Sequence, residues 1–449
     1  MQEHTGCLPG LSPIAGKQVH AAFDGGMLSS NAGVLLLREV GRRLGIADRL
    51  AACLSDRRDP ARIDHTVAEM IGFRAMAIAA GYEDADDCDS LRCEPVFKMA
   101  VGRLPESGEP LCSQPTMSRL ENAVSRVALV RMMAAMVDLF CDSWKQVPGR
   151  IELDIDDTED AVHGCQQLAL FNAYYDSHCF LPIHIYEATS GKPVAAILRP
   201  GKTPSGTEVR TILKHVIRRI RQNWPKVEIL VRGDSHYGRP EALDWCEDNG
   251  IDYVFGLSGN EVLRAMVAPI AEDVAVRRAT HHASDAKVRR YGELIYAARS
   301  WRQERRVIAR VEASDQGCDS RFVVTNLGSG KAKALYERVY CVRGQMENLI
   351  KAHKTHLASD RTSCHDAKAN QFRLILHSAA YWLMHGLRAA APKRSSWRLA
   401  QFDTLRTRLI KVAARVIERG TRIKLALPTA CPDKAIITHL ARAFAAQPP

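Results

Sequence analysis

The sequence predicts an α/β protein: a mixed sheet with a β-rich insertion, flanked by helical N- and C-terminal regions. Three observations lead there. Residues 150–257 read in the order β-β-β-α-β-α-β. The stretches from about 30 to 140 and over the last hundred residues carry the apolar period of helices. Between them, residues 258–332 return to a period of two. The chain has 449 residues, enough for two or three domains and a sizeable core.

Residues 1 to about 20 hold Gly and Pro with little periodicity and read as a loose arm. VLLLREVGRRLGIADRLAACL (34–54) repeats apolar residues at i, i+3 and i+4 with Arg opposite, so a helix is expected. HTVAEMIGFRAMAIAAG (65–81) reads as a second helix stopped by Gly81. Ser113 followed by Gln-Pro-Thr marks another helix start, with a serine cap and a proline in the first turn. It suits either the second helix of a helix-turn-helix or an ordinary capped helix. A long helix from Ser125 to about Trp144 follows.

At Pro148-Gly149 the pattern changes. RIELDID (150–156) alternates as a strand, and CFLPIHIYEA (179–188) with PVAAILR (193–199) reads as a hairpin. EVRTILKHVIRRIRQNW (208–224) is a basic amphipathic helix, VEILVRGD (227–234) a buried strand, RPEALDWCEDNG (239–250) a helix and IDYVFGL (251–257) a strand. Three antiparallel strands followed by α-β units give the order of the ribonuclease H-like fold. RYGELIYAARSW, ERRVIARVEA and SRFVVTNL then read as strands of a separate small β-domain. Helix returns at Lys333, and QFRLILHSAAYWLMHGLRAAA and FDTLRTRLIKVAARVIERG are both expected to be helical. The organisation expected is a helical N-terminal region (1–147), a sheet domain (148–257 and 333–390), a β-rich insertion (258–332) and a basic helical C-terminal region (391–449).

The formal net charge is +11, which suits a polyanionic partner. The 13 cysteines form no CxxC pair and match no zinc spacing, so reduced thiols filling the core are expected. No basic start precedes an apolar run, and no stretch of about 20 apolar residues exists, so a cytoplasmic protein without a membrane span is expected. No Gly-rich phosphate loop or nucleophile elbow supports a metabolic enzyme.

The chemistry concentrates in acids and cations. In YCVRGQMENLIKAHK, residues Tyr340, Arg343, Glu347 and Lys354 fall along one stripe of a regular helix. An acid among two cations and a phenol offers an oxygen ligand for a metal with phosphate-binding groups beside it. Asp154 and Asp156 share a face of the first strand. Asp234 stands at the carboxyl end of VEILVRG, where α/β sheets place their sites. In a ribonuclease H-like sheet the first and fourth strands are neighbours, and a late helix would deliver Glu347. Each acid alone also fits a structural role: a solvated acidic turn at 154–160, a cap or an ion pair with Arg232 or Arg239 for Asp234, and a pair with Arg343 for Glu347. Their joint placement favours a site. Three gathered carboxylates repel, and a pair of Mg²⁺ or Mn²⁺ ions resolves the repulsion. His163, Gln166, His236 and Tyr237 lie near the acids; Arg199, Lys202 and Arg239 are candidate phosphate contacts.

These motifs resemble a known family. The chain looks like a bacterial insertion-sequence transposase with a DDE site and a YREK signature, of the type called transposase DDE domain group 1. LDIDDTEDAVHGCQQLALFNAYYDSHCFLPIHIY resembles the first-aspartate region, RGDSHYGRP the second and YCVRGQMENLIKAHK the third. The resemblance implies catalytic, metal-binding Asp156, Asp234 and Glu347, with Asp154 the alternative first acid, and DNA contacts from Tyr340, Arg343 and Lys354. It implies binding to double-stranded DNA at transposon ends and target, cut-and-paste chemistry with two Mg²⁺ or Mn²⁺ ions, and a homodimer in the DNA complex. A DNA-binding regulator without catalysis, or a nuclease that cuts without joining, are the alternatives.

Overall fold

The structure, a computed structural model, describes residues 10–280 and 287–445. Contacts divide the chain into two compact units. One comprises residues 53–55 and 122–378; the other comprises the remainder of residues 1–121 together with 379–449.

The first unit is built on an eight-stranded sheet. Its strands are β1 (Arg150–Asp157), β2 (Ile183–Glu187), β3 (Lys192–Ile197), β4 (Glu228–Gly233), β5 (Asp252–Leu257), β6 (Val288–Tyr296), β7 (Arg305–Ser314) and β8 (Gly317–Thr325). The spatial order is β6-β7-β8-β5-β4-β1-β2-β3. β1 pairs parallel with β4, and β4 parallel with β5; β2 runs antiparallel to β1 and β3 antiparallel to β2. The period of two predicted for β1 holds: Ile151, Leu153 and Ile155 are buried on one face, and Glu152, Asp154 and Asp156 take the other.

Helix Gly206–Asn223 starts at Ser205, whose hydroxyl accepts from the Glu208 amide. Val209, Leu213, Val216, Ile217 and Ile220 form its buried stripe. Helix Arg126–Asp142 packs against it and against β3. Arg219 reaches Asp138 with two hydrogen bonds, so part of the basic face of Gly206–Asn223 is spent on its neighbour.

The strands of the insertion form where the sequence predicts them, but they are not a separate β-domain. β8 pairs antiparallel with β5, from Phe322↔Leu257 to Thr325↔Val254. β7 and β6 then extend the same sheet as antiparallel neighbours. The physical reason is β5 itself, whose outer backbone edge would stand unpaired without β8. Leu230, Val254, Ile308 and Val323 pack with Leu335 and Tyr336 into one continuous core. Two helices unforeseen in the sequence, Glu261–Met266 and Ala268–Thr280, precede these strands.

In the second unit, helix Val34–Leu44 ends at Gly45, whose φ of 59° is left-handed, and Ile46–Ala51 follows as a separate helix. Val67–Ala79 forms within the expected stretch and begins after Thr66, whose hydroxyl accepts from the Glu69 amide. Helix Gln114–Asn122 begins at the expected place beside Ser113. Residues 402–420 are not one helix. A helical stretch ends at Ile410, and β9 (Ala414–Arg419) and β10 (Arg422–Ala426) form a hairpin, with the two-residue strand Leu28–Ser29 against β9. Alternation decides it: Val412, Ala414 and Val416 are buried with exposed residues between them. Helix Lys434–Ala445 closes the described chain. No helix among the described residues is long and apolar enough to cross a membrane.

Candidate active site

The β1–β4 ladder puts two very different residue pairs side by side on one face. Asp154 is the register partner of Arg232, and Ile155 that of Gly233. The ladder ends with that pair; Asp156 and Asp234 are the next residues of the two chains at its carboxyl end, and the charge of Asp234 bears on Asp156. The first pair is a closed ion pair: Arg232 Nε and Nη2 donate to Asp154 Oδ1 and Oδ2 at 2.7 and 3.0 Å, with both residues about 1% exposed. Arg232 Nη1 also donates to the Val339 carbonyl at 2.8 Å and pairs with Glu152 at 3.0 Å. Asp154 is thus spent on the fold. The second pair is two half-buried carboxylates of like charge.

Asp156 is pushed up to about 6 by burial, opposed by Arg343 and reinforced by the charges of Asp234 and Asp157. Arg343 Nη1 donates to Asp156 Oδ2 at 2.7 Å. The other Asp156 oxygen accepts from the Asp157 amide at 3.0 Å. Asp234 Oδ1 accepts from the His236 amide at 2.8 Å, and the His236 ring lies 3.6 Å from Oδ2. Tyr237 is fully buried, and its hydroxyl donates to Asp157 Oδ2 at 2.9 Å. Tyr340 is half-buried, with its ring 5.7 Å from the Arg343 guanidinium carbon. Its hydroxyl reaches the β4–β5 edge: a Cβ added at Gly256 would stand 2.8 Å from the Tyr340 oxygen, 2.7 Å from the Ser235 nitrogen and 3.0 Å from the Asp234 carbonyl carbon. Only glycine leaves room there.

The segment carrying these cations is not one regular helix. It runs as π turns over Leu335–Tyr340, 3-10 turns over Cys341–Gly344, α-helix over Gln345–Lys351 and π turns again over Ala352–His356. Changes of pitch break the single stripe that a uniform helix would give. Arg343 and Tyr340 turn to the aspartates. Lys354 Nζ donates to the Glu159 carbonyl, two residues beyond β1. Glu347 is exposed, and among the described residues it makes no hydrogen bond or ion pair with either aspartate. No group of three or more His, Cys, Asp or Glu side chains is gathered for a metal among the described residues. Asp156 and Asp234 themselves fit a hard divalent cation: they offer carboxylate oxygens only, at like charge, and burial already disfavours the bare charge on Asp156.

The remaining candidates divide. Arg199 is buried and donates to both Glu208 oxygens at 2.7 and 2.8 Å, so it is an internal ion pair and not an exposed phosphate contact. Lys202 and His163 are exposed. Arg239 Nε donates to the His236 carbonyl at 3.1 Å. Gln166 Nε2 turns to the Thr362 carbonyl at 3.3 Å. Sequence reasoning passed over Asp157 as a member of the site and gave Gly256 no role. The Asp156-Asp157 repeat was a signal for the first, whereas nothing local marks the second.

The fold is therefore a mixed α/β sheet with acids at the carboxyl edge of its central parallel strands and an arginine against them. The chain belongs to the transposase DDE domain group 1 family, whose model matches residues 11–449. Among solved structures, the chain is similar to a piggyBac transposase in a synaptic complex with hairpin DNA, seen by cryo-electron microscopy. The two share 9% identity, with a TM-score of 0.42, over 84% of this chain and 80% of that one. No curated protein matches the sequence.

Proposed function

We propose that this chain is an insertion-sequence transposase that cuts DNA at the element's ends and joins the freed 3′-hydroxyl to target DNA. What supports the reading is the register that brings Asp156 and Asp234 to the same end of β1 and β4, in a chain of the DDE transposase family. The order β3-β2-β1-β4-β5 with β2 antiparallel supports a ribonuclease H-like core. Asp156 is the first acid in this reading, because Asp154 is committed to Arg232.

Asp156, Asp234 and Glu347 would hold divalent cations, Mg²⁺ or Mn²⁺ and two in number, which activate the attacking oxygen and stabilise the leaving one when bound. The protein's own groups do the rest. Arg343 keeps guanidinium donors free for a phosphate oxygen while one donor holds Asp156. The Tyr340 hydroxyl, beside the Asp234 backbone, adds a neutral donor. Lys354 fixes the chain after β1 through the Glu159 carbonyl and contacts DNA if that bond is released. The helical region 1–147, with the basic C-terminal region 391–449, would recognise the inverted repeats of double-stranded DNA, and residues 258–332 would support the catalytic domain as its insertion. Two ends must meet, so a homodimer forms on DNA. The compartment is the cytoplasm.

A second reading is favoured by one observation, the exposure of Glu347 apart from the aspartates: a DNA-binding protein without catalysis. One experiment separates them. The purified protein is incubated with a labelled duplex carrying the element's end, with Mg²⁺ or Mn²⁺, beside Glu347→Gln. Metal-dependent cleavage lost in the variant supports the transposase. Binding without cleavage by either protein, with every divalent ion tried, leaves the second reading.

A further inference from the structure

Just past Asp157 the β1–β2 ladder continues as a narrow three-stranded ribbon: Asp160–Ala161, Leu170–Asn172 and Ser177–Phe180. The ladder is anchored through its last pair before the turn, Asn172 opposite Ser177. Ser177 Oγ donates to Glu159 at 2.6 Å, and Asn172 Nδ2 donates to the Gly201 carbonyl at 3.0 Å. A Cβ at Gly201 would come within 2.3 Å of the Cys179 carbonyl and 2.8 Å of the Leu170 carbonyl, so the ribbon lies directly on that backbone. Its outward face and its turn are the opposite in character. Leu168, Leu170, Phe171, Tyr174 and Tyr175 are all exposed, Phe171 at 56% and Tyr174 at 88%. The Tyr174 and Tyr175 rings meet edge-on at 4.9 Å, and Phe171 meets His178 edge-on at 5.6 Å. The Tyr174 amide donates to Asn172 Oδ1 at 3.0 Å, which fixes the turn.

We propose that this ribbon is a stacking platform for an unpaired nucleobase of the DNA strand held at Asp156 and Asp234. The inference rests on the transposase reading and adds a ligand to it. Three arguments select a base over another occupant. The ribbon follows the strand that carries Asp156, and Ser177, two residues after Tyr175, is bonded to Glu159, so the turn with the two tyrosines folds back toward the end of β1 where a nucleotide held at the acids would lie. Burial first, and then the charge of Asp157, push the Tyr175 hydroxyl up, which agrees with a turn that lies toward the end of β1. Rings exposed on an anchored ladder are what a π-face requires, and every base has one. A paired base keeps its faces covered in the duplex; an unpaired one beside a cut does not.

The test uses the full chain with chelator and no divalent metal. Two mixed-sequence DNAs are compared: a blunt duplex and the same duplex with a short 3′ single-stranded tail bearing 2-aminopurine next to the junction. The tailed DNA should bind more tightly, with the probe's fluorescence quenched. Phe171→Ala/Tyr174→Ala should weaken tailed binding about fivefold or more, the low end of a lost base–aromatic stack, and abolish the quench, with blunt binding unchanged. Tyr174→Phe should retain both. Equal binding of the two DNAs by the wild type overturns the proposal, as does an alanine variant that weakens both alike or neither. A variant that alters only sedimentation, marking the patch as a contact between copies, overturns it too. If either failure comes with metal-dependent end cleavage intact, the stacking platform falls and the transposase stands; if the wild type binds neither DNA, both fall.

Discussion

Arg343 donates to Asp156 across 2.7 Å, from a segment 187 residues further along the chain. That contact ties the irregular helical segment to the carboxyl end of β1. It also sets the charge state of the site, because Arg343 favours the ionised carboxylate while burial, Asp234 and Asp157 oppose it. Opposition wins, and the carboxyl is pushed up to about 6.

The sign of this shift gives the first prediction. A carboxyl raised above its usual value near 3.9 holds its proton more tightly in the folded chain. Its contribution to stability is therefore fully present below about pH 4 and lost as the pH rises to about 6. Without metal, Asp156→Asn should raise the unfolding free energy by on the order of 2 kcal/mol at pH 7.5, with no gain at pH 4. Urea unfolding at the two pH values measures it. A variant less stable than wild type at pH 7.5 contradicts the charge assignment, and metal-dependent cleavage should be lost in either case.

Removing the arginine tests the other side of the pair. Arg343→Met takes away a cation that lowers the Asp156 carboxyl, so the acid limb of the cleavage–pH profile should move upward from about 6. DNA affinity should fall, and the slope of its salt dependence should shrink by about one charge. Arg343→Lys keeps a charge without the forked geometry, and should restore the pH profile more fully than the affinity. A profile unmoved in Arg343→Met would mean that the contact does not survive in solution.

The deeper pair behaves differently. Arg232→Met leaves Asp154 buried without its two hydrogen bonds, which costs about 3–5 kcal/mol. The matched double change Arg232→Met/Asp154→Leu removes both charges and should recover most of that loss. Urea unfolding of the sheet-bearing unit reads both, and a double variant as unstable as the single one argues against a simple ion pair. Asp154 and Asp156, two residues apart on one face, would thus separate cleanly into fold and site.

That separation was not legible in the sequence. A period of two puts both aspartates on one face, and only the β4 register decides that it is Asp154 that meets Arg232. The strands themselves were legible, because Ile151, Leu153 and Ile155 alternate and turn residues bound each run. What failed was tertiary. ERRVIARVEA reads as a strand from its own residues, but its joining the main sheet depends on β5 offering an edge. Helix Ala268–Thr280 was missed because Val274 is its only deeply buried residue, too little for a periodic signal. Residues 402–420 hold enough Arg and Leu to imitate a helix, and the alternation of Val412, Ala414 and Val416 outweighs them only when β9 has a partner. The YREK stripe assumed uniform pitch, which the π and 3-10 turns between Leu335 and His356 do not keep.

Gly256 carries the last prediction. It lies on β5, next in space to β4, and its missing side chain is what lets the Tyr340 hydroxyl and the Asp234–Ser235 backbone approach together. A methyl group there would meet backbone at 2.7 and 3.0 Å, and backbone cannot swing aside as a side-chain tip does. Asp234 would have to move. Catalytic groups tolerate shifts of well under an ångström, and a displacement of about 1 Å can cost about a hundredfold in rate. Gly256→Ala should therefore lose about two orders of magnitude in metal-dependent cleavage, with a single cooperative melt and near wild-type DNA affinity. Tyr340→Phe separates the two clashes, since it relieves only the hydroxyl contact. If Gly256→Ala/Tyr340→Phe regains the activity that Tyr340→Phe alone retains, the tyrosine contact dominates. If it does not, the strain falls on the Asp234 backbone. Wild-type cleavage by Gly256→Ala itself would show that Asp234 need not stand where β4 holds it.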